Sequence, residues 1–232
     1  MLAVMLQADM RAGFEVNGYA IARNFLNSEE LRLLTEHCEP VADQYGVRNF
    51  LQRFPLVRQL LFTPKLHALL RSFGYPFAVP VRSLFFNKNE SHNWLVPWHQ
   101  DLSIAVNQKA DMAGYAKWTF KDDTHYVEPP VELLNSILTL RFALDDTDEN
   151  NGALKVIAGS HLSGKLDSAQ IRLASEKELP VSYLSMQAGD LLLMKPLLLH
   201  ASSKALATSN RRVVHLELSA EVLPAPLAWA EY

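Results

Sequence analysis

The sequence predicts a mainly β protein with flanking helices, of the sandwich or jelly-roll kind. Three observations carry that prediction. Helical periodicity is confined to the first third of the chain, and short apolar runs rich in β-branched and aromatic residues, separated by turn signals, fill the rest. No repeat, low-complexity tract or Pro/Gly/Ser-rich linker marks a boundary, so residues 1–232 are expected to form one domain, with N-terminal helices over 1–75 packed on a β core over 76–220.

The elements follow in order. Asn27-Ser28-Glu29-Glu30 has the pattern of a capping box, and Leu31, Leu33 and Leu34 come directly after it, which predicts a helix from about Ser28 to Tyr45. Leu66, Leu69 and Leu70 recur at helical spacing between Pro64 and Phe73, and Gly74 ends the pattern. From Pro76 the character changes: runs at 79–86, 136–144, 154–157, 191–194 and 213–218 read as strands. Asn151-Gly152 signals a two-residue primed hairpin turn, because both residues accept positive φ. The stretch from Ser103 to Pro130 shows no clear period and is read as a lid or binding loop.

Composition limits the function. The 232 residues are 49% hydrophobic and 20% charged with a formal net charge of −3, which gives no electrostatic reason to expect nucleic acid or a membrane surface as partner. Cys38 is the single cysteine, so no internal disulfide forms. The opening Met1-Leu2-Ala3-Val4 run lacks a basic leader and a long apolar stretch, and the expected location is cytoplasmic. Oligomeric state is not encoded in any pattern we find.

Chemistry concentrates in a few residues. His99 and Asp101 stand two apart in Trp98-His99-Gln100-Asp101, and in an extended strand such residues project from one face and can converge on one ion while Trp98 and Gln100 turn away. His200 follows about a hundred residues later, at the end of an apolar run. Two imidazoles and one carboxylate form the ligand set that holds one face of a non-haem Fe(II) ion, and the lack of thiolate partners argues against structural zinc. Arg211 falls eleven residues after His200 at the start of the last strand, where a guanidinium can clamp the far carboxylate of a keto acid. Alternation puts Arg211, Val213, His215 and Glu217 on a polar face of that strand and Arg212, Val214, Leu216 and Leu218 on an apolar one. The polar face is the one expected to line a site, with Arg212 left as a strand-start side chain whose head is in water.

Together, Trp98-His99-Gln100-Asp101, the run Asp148 to His161, and Gly189-Asp190 through His200 to Arg211 resemble the phytanoyl-CoA dioxygenase family of Fe(II)/2-oxoglutarate oxygenases. The resemblance spans roughly Phe77 to Ser219. It implies a double-stranded β-helix (a cupin-like jelly roll) with the helices outside it, iron on His99, Asp101 and His200, and Arg211 on the 2-oxoglutarate tail. It further implies hydroxylation of a small-molecule substrate by O2, with 2-oxoglutarate converted to succinate and CO2. Asp101 favours hydroxylation, because halogenating relatives replace the carboxylate with a small residue. By the same resemblance Lys88, Gln100 and Ser202 are candidate 2-oxoglutarate contacts. Arg141 stands where relatives carry an aromatic residue and, with Trp118 and His125 of the expected lid, is a candidate on the substrate side. Trp94 and Trp98 are weighed as pocket or core. Two other readings stay open: a cupin-type metal enzyme that needs no 2-oxoglutarate, and a catalytically inactive binding protein on the same barrel.

Overall fold

The computed structural model describes residues 2–176, 179–206 and 210–231. In chain order the elements are α1 (Leu2–Asn17), β1 (Tyr19–Ala22), α2 (Ser28–Cys38), β2 (Gly46–Arg48), α3 (Phe50–Arg53), α4 (Pro55–Leu61), α5 (Pro64–Ser72), β3 (Val79–Lys88), β4 (Val96–His99) and β5 (Ile104–Val106). They continue with β6 (Ala116–Lys121), β7 (Thr124–Glu128), α6 (Val131–Ser136), β8 (Leu138–Ala143), β9 (Leu154–Ile157), α7 (Ser168–Glu176), β10 (Val181–Tyr183), β11 (Leu191–Met194), β12 (His200–Ser202) and β13 (Arg211–Ser219).

Local chemistry explains the boundaries. The capping box forms as expected: Asn27 Oδ1 accepts from the Glu29 and Glu30 amides at 3.0 and 2.9 Å, and Glu30 accepts from the Asn27 amide at 2.8 Å. The helix stops at Cys38, short of the expected Tyr45, and passes into a 3-10 turn over Glu39–Val41. Pro40 is the reason, since it has no N–H to give and its ring clashes with the carbonyl four residues back. Thr63 caps α5, accepting from the Leu66 amide, and Gly74 leaves the helix at φ +88°. The strand expected from Ser136 starts at Leu138, because Val131–Ser136 form a helical turn before it.

Three antiparallel sheets result. The main sheet runs β1-β11-β8-β13-β3-β2, the second β10-β9-β12-β4, and the third β5-β7-β6. The first two face each other as a jelly-roll core, because residues of both line one cavity. The apolar face of β13 (Val214, Leu216, Leu218) joins Leu138, Leu140 and Phe142 of β8 and packs against Leu34, Phe50, Leu66 and Phe73 of the N-terminal region. Each such side chain contributes about 1.5–3 kcal/mol by leaving water, which fixes the helices on the outer face. Ala143, Leu154, Val156, Leu192 and Met194 join the two facing sheets in a second cluster.

Two expectations are corrected. Residues 103–130 are not an irregular lid: they hold the third sheet, whose core residues Ile104, Val106 and Val127 pack with Leu134, Ile137 and Trp229. Asn151-Gly152 does turn the chain, but only Gly152 of the pair has positive φ, at +83°. Asp148 organises that turn instead, accepting from the Asn150 and Asn151 amides at 2.8 and 3.2 Å. The two-residue turn with both φ positive is Asp122-Asp123, at +48° and +56°, joining β6 to β7.

Candidate metal and anion site

Strand pairing builds the first half of the site. β12 runs beside β4 with His200 directly opposite His99, so the two rings lie 4.2 Å apart between centroids. Asp101 comes just past the end of β4, held by its amide to the Pro196 carbonyl at 2.9 Å, and its two oxygens lie 3.7 Å from His99 Nε2 and His200 Nε2 respectively. The three ligand atoms all fall within 4.8 Å of one another, close enough to share one ion.

Hydrogen bonds settle which nitrogens face it. His99 Nδ1 lies 2.8 Å from the Pro97 carbonyl and His200 Nδ1 2.8 Å from the Leu198 carbonyl. A carbonyl only accepts, so each Nδ1 carries a proton, which leaves each Nε2, the nitrogen facing Asp101, as the one able to offer a lone pair to an ion. Burial pushes His200 down to about 4, against the pull of Asp101. Burial alone would raise Asp101, but His200 and His99, with His215 and Arg82, hold it down at about 2. An anionic carboxylate beside a neutral buried imidazole is the protonation pattern a divalent cation requires.

The main sheet supplies the opposite wall. A cavity of about 120 Å³ lies between the sheets, and Arg82 and Phe86 of β3, Arg141 of β8, and Arg211, His215 and Glu217 of β13 reach it together with the three candidate ligands. The polar face read from β13 is therefore the cavity face. Arg211 is buried, its Nε has no hydrogen-bond partner, and no carboxylate pairs with it among the described residues. Burial and then the charge of Arg141 push it down to about 9. Lys88, opposite Arg211 in the β13–β3 register, is fully buried and donates to Ser202 Oγ at 2.9 Å and to the Ser203 carbonyl at 2.7 Å. Burial, with Arg211 and Arg141 adding to it, brings Lys88 down to about 7.

Across the floor runs a polar row. Arg141 Nη1 stands 3.0 Å from His215 Nδ1, His215 Nε2 3.5 Å from Glu217, and Glu217 2.9 Å from Arg82. The guanidinium only donates, so His215 accepts at Nδ1 and keeps its proton at Nε2, toward Glu217.

Other sequence candidates lie elsewhere. Gln100 turns away from the cavity: its amide nitrogen donates to Gly164 and Leu197 and its oxygen accepts from Leu166, so it braces the chain behind the site. Trp118 packs on the core of the third sheet, and His125 lies against Phe120 at 4.6 Å; neither reaches the cavity. Trp94 does line it, whereas Trp98 sits against Lys155. Arg212 is not in water but holds Asp145 in a bidentate pair at 2.7 and 3.0 Å. Arg82, His215 and Glu217 were not singled out as site residues, although the alternation of β13 already placed the last two on the polar face.

The fold and the clip of two imidazoles and a carboxylate define a jelly-roll protein with a candidate metal site. The family model described as phytanoyl-CoA dioxygenase (PhyH) matches residues 14–213, and the chain belongs to that family. Phytanoyl-CoA dioxygenase domain-containing protein 1 of Rattus norvegicus is 26% identical over 193 residues, covering 76% of this chain. The chain spans 58% of the length of that relative. Among solved structures, the non-heme alpha ketoglutarate dependent epimerase SnoN from nogalamycin biosynthesis superposes with a TM-score of 0.72 at 14% identity, covering 93% of this chain and 81% of its own. EctD from S. alaskensis, with 2-oxoglutarate and 5-hydroxyectoine, superposes with a TM-score of 0.70 at 16% identity, covering 92% of this chain and 76% of its own. No helix among the described residues is long and apolar enough to cross a membrane.

Proposed function

We propose that this protein is a non-haem Fe(II)/2-oxoglutarate-dependent dioxygenase that hydroxylates a small-molecule substrate, with residues 1–232 acting as one oxygenase domain. The observation that carries the reading is Arg211, a buried guanidinium without an acidic partner among the described residues, in the same cavity as the His99–Asp101–His200 set. A buried unpaired charge is costly unless a ligand completes it. A keto diacid suits both ends: one carboxylate for Arg211, and a keto acid group for a metal.

The donor set fits iron, with two neutral nitrogens and one carboxylate oxygen on one side and the cavity on the other. When bound, the metal couples O2 and the decarboxylation of 2-oxoglutarate to attack on an unactivated C–H bond. The chain's own part is binding and positioning. Arg211 takes the far carboxylate through its free N–H groups, Lys88 brings a further positive charge held by Ser202, and Phe86, Leu84 and Val96 supply apolar walls that keep water away. Asp101 occupies a position that a halide-binding site would need empty, which supports hydroxylation. The likeness to SnoN, described as an epimerase, makes the reaction outcome the part to test. The lone buried Cys38 suits a reducing compartment, in line with a cytoplasmic location.

The test is spectroscopic and then chemical. Anaerobic addition of Fe(II) and 2-oxoglutarate should produce a metal-to-ligand absorbance band in the visible, and a metabolite screen should find compounds that stimulate succinate release and gain one oxygen atom. Turnover without 2-oxoglutarate would favour the cupin-type reading. Absence of the band would favour an inactive binding protein.

A further inference from the structure

Resting on the oxygenase reading, we propose that Arg141 is the anchor for an acidic group of the primary substrate, so that the substrate class is an organic acid whose carboxylate lies beside the metal.

Charge balance is the first argument. Arg82 is neutralised by Glu217 at 2.9 Å. Asp101, a divalent metal and the 2-oxoglutarate dianion leave one negative charge, which Arg211 cancels. Arg141 then remains as an uncompensated positive charge in the cavity, before Lys88 is counted. Its side chain is more than nine-tenths buried, and among the described residues it has no carboxylate partner. Its hydrogen bond uses Nη1 on the neutral His215, so its remaining N–H groups are free for an anion. A buried cation of this kind is costly unless a ligand completes it.

Position is the second argument. Arg141 pairs with His215 in the β8–β13 register, whereas Arg211 stands four residues earlier on β13, beside Lys88. Four residues of strand amount to roughly 13 Å along the sheet. Arg211 and Arg141 therefore enter the cavity from different points of the sheet, although the charge of Arg141 still reaches Arg211 and Lys88. Arg141 lines the same cavity as His99, Asp101 and His200, and its charge is felt by Asp101 and His200 as well as by Arg211 and Lys88, so it stands within reach of a group beside the metal ligands. His215, locked between Arg141 and Glu217, fixes the direction in which the guanidinium points. A planar fork held in this way matches a carboxylate through two parallel hydrogen bonds.

The same N–H groups have a second possible partner of identical chemistry, the metal-side carboxylate of 2-oxoglutarate, and the experiment separates the two. Protein loaded with Mn(II) and saturated with 2-oxoglutarate is mixed with hexanoate or with neutral hexanamide, and paramagnetic relaxation of the probe protons reports approach to the metal even at weak affinity. The expected result is relaxation of hexanoate at least about tenfold stronger than of hexanamide, in line with a charge-assisted pair. In Arg141→Gln this preference should vanish while 2-oxoglutarate affinity stays within about threefold of the parent; in Arg141→Lys the preference should persist in part. Circular dichroism checks that both variants are folded, and Arg141→Lys decides the matter if Arg141→Gln is not. Equal relaxation of acid and amide, no relaxation of either, preference retained in Arg141→Gln, or loss of 2-oxoglutarate affinity in that variant would each overturn the proposal. Failure of the parent protein to bind Mn(II) and 2-oxoglutarate at all would overturn the oxygenase reading itself, and this proposal with it.

Discussion

Replacing Arg211 by Met should have effects of opposite sign on the empty and the loaded protein. In the empty protein the guanidinium is buried with its Nε unpaired, and its depression from 12.5 to about 9 measures how poorly the fold accommodates the charge. At about 1.4 kcal/mol per pKa unit this cost is on the order of 5 kcal/mol, an upper figure from which the lost contacts of the aliphatic stem must be subtracted. A net gain of about 1–2 kcal/mol raises Tm by roughly 2–4 °C per kcal/mol for a chain of this size. With 2-oxoglutarate the order reverses. Two charge-assisted hydrogen bonds at about 1.5–3 kcal/mol each are lost, which weakens binding by about a hundredfold or more. Differential scanning fluorimetry of Mn(II)-loaded protein, with and without 2-oxoglutarate, reads both effects. The parent should gain about 2.7 kcal/mol at a ligand concentration a hundred times Kd, and the variant almost nothing. A variant less stable when empty yet still stabilised by 2-oxoglutarate as strongly as the parent would refute the assignment of Arg211 as an anion clamp.

Asp101→Ala should abolish succinate formation and metal retention while the circular dichroism spectrum stays that of the parent; full turnover in the variant would remove the carboxylate from the ligand set. For Lys88, whose folded pKa of about 7 lies below its ordinary 10.5, the charged form is the disfavoured one, so stability rises with pH from about 7 toward 10 as the folded state sheds its proton first. Binding an anion beside it reverses that preference. Affinity for 2-oxoglutarate should therefore fall as pH rises through about 7, and calorimetry on Lys88→Met should show a flat profile. Gly152→Ala should destabilise the protein by about 1–2 kcal/mol in urea titrations, because the residue has φ +83° and an added Cβ would lie 2.9 Å from the Ser203 carbonyl and 3.0 Å from Lys88 Nζ. An unchanged midpoint would show that the turn relaxes freely.

The sequence carried much of this arrangement where a single physical rule governs. The apolar runs 154–157 and 191–194 coincide with β9 and β11, and the two-residue alternation of β13 correctly separated cavity from core. His99, Asp101 and His200 were legible because their residue types and spacing are those of a metal clip. What escaped depended on tertiary context. β6 is largely exposed on both faces, so Ala116–Lys121 shows no alternation, and Asp122-Asp123 is a weaker turn signal than Asn-Gly although it adopts the primed geometry. Gln100 looked available for ligand because of its neighbours in sequence. Its partners Gly164, Leu166 and Leu197 come from distant segments that no local pattern announces. Arg212 drew its partner Asp145 from the turn just past the end of β8 in the same way.

Each imidazole of the clip is oriented by a carbonyl only two positions back in its own chain, Pro97 for one and Leu198 for the other. Ring alignment is thus a property of two short peptide segments, with no remote acid on either Nδ1 among the described residues. Remodelling of the cavity floor around Arg141, His215 and Glu217 leaves those anchors untouched, so the shape and charge of the floor can change without turning either imidazole.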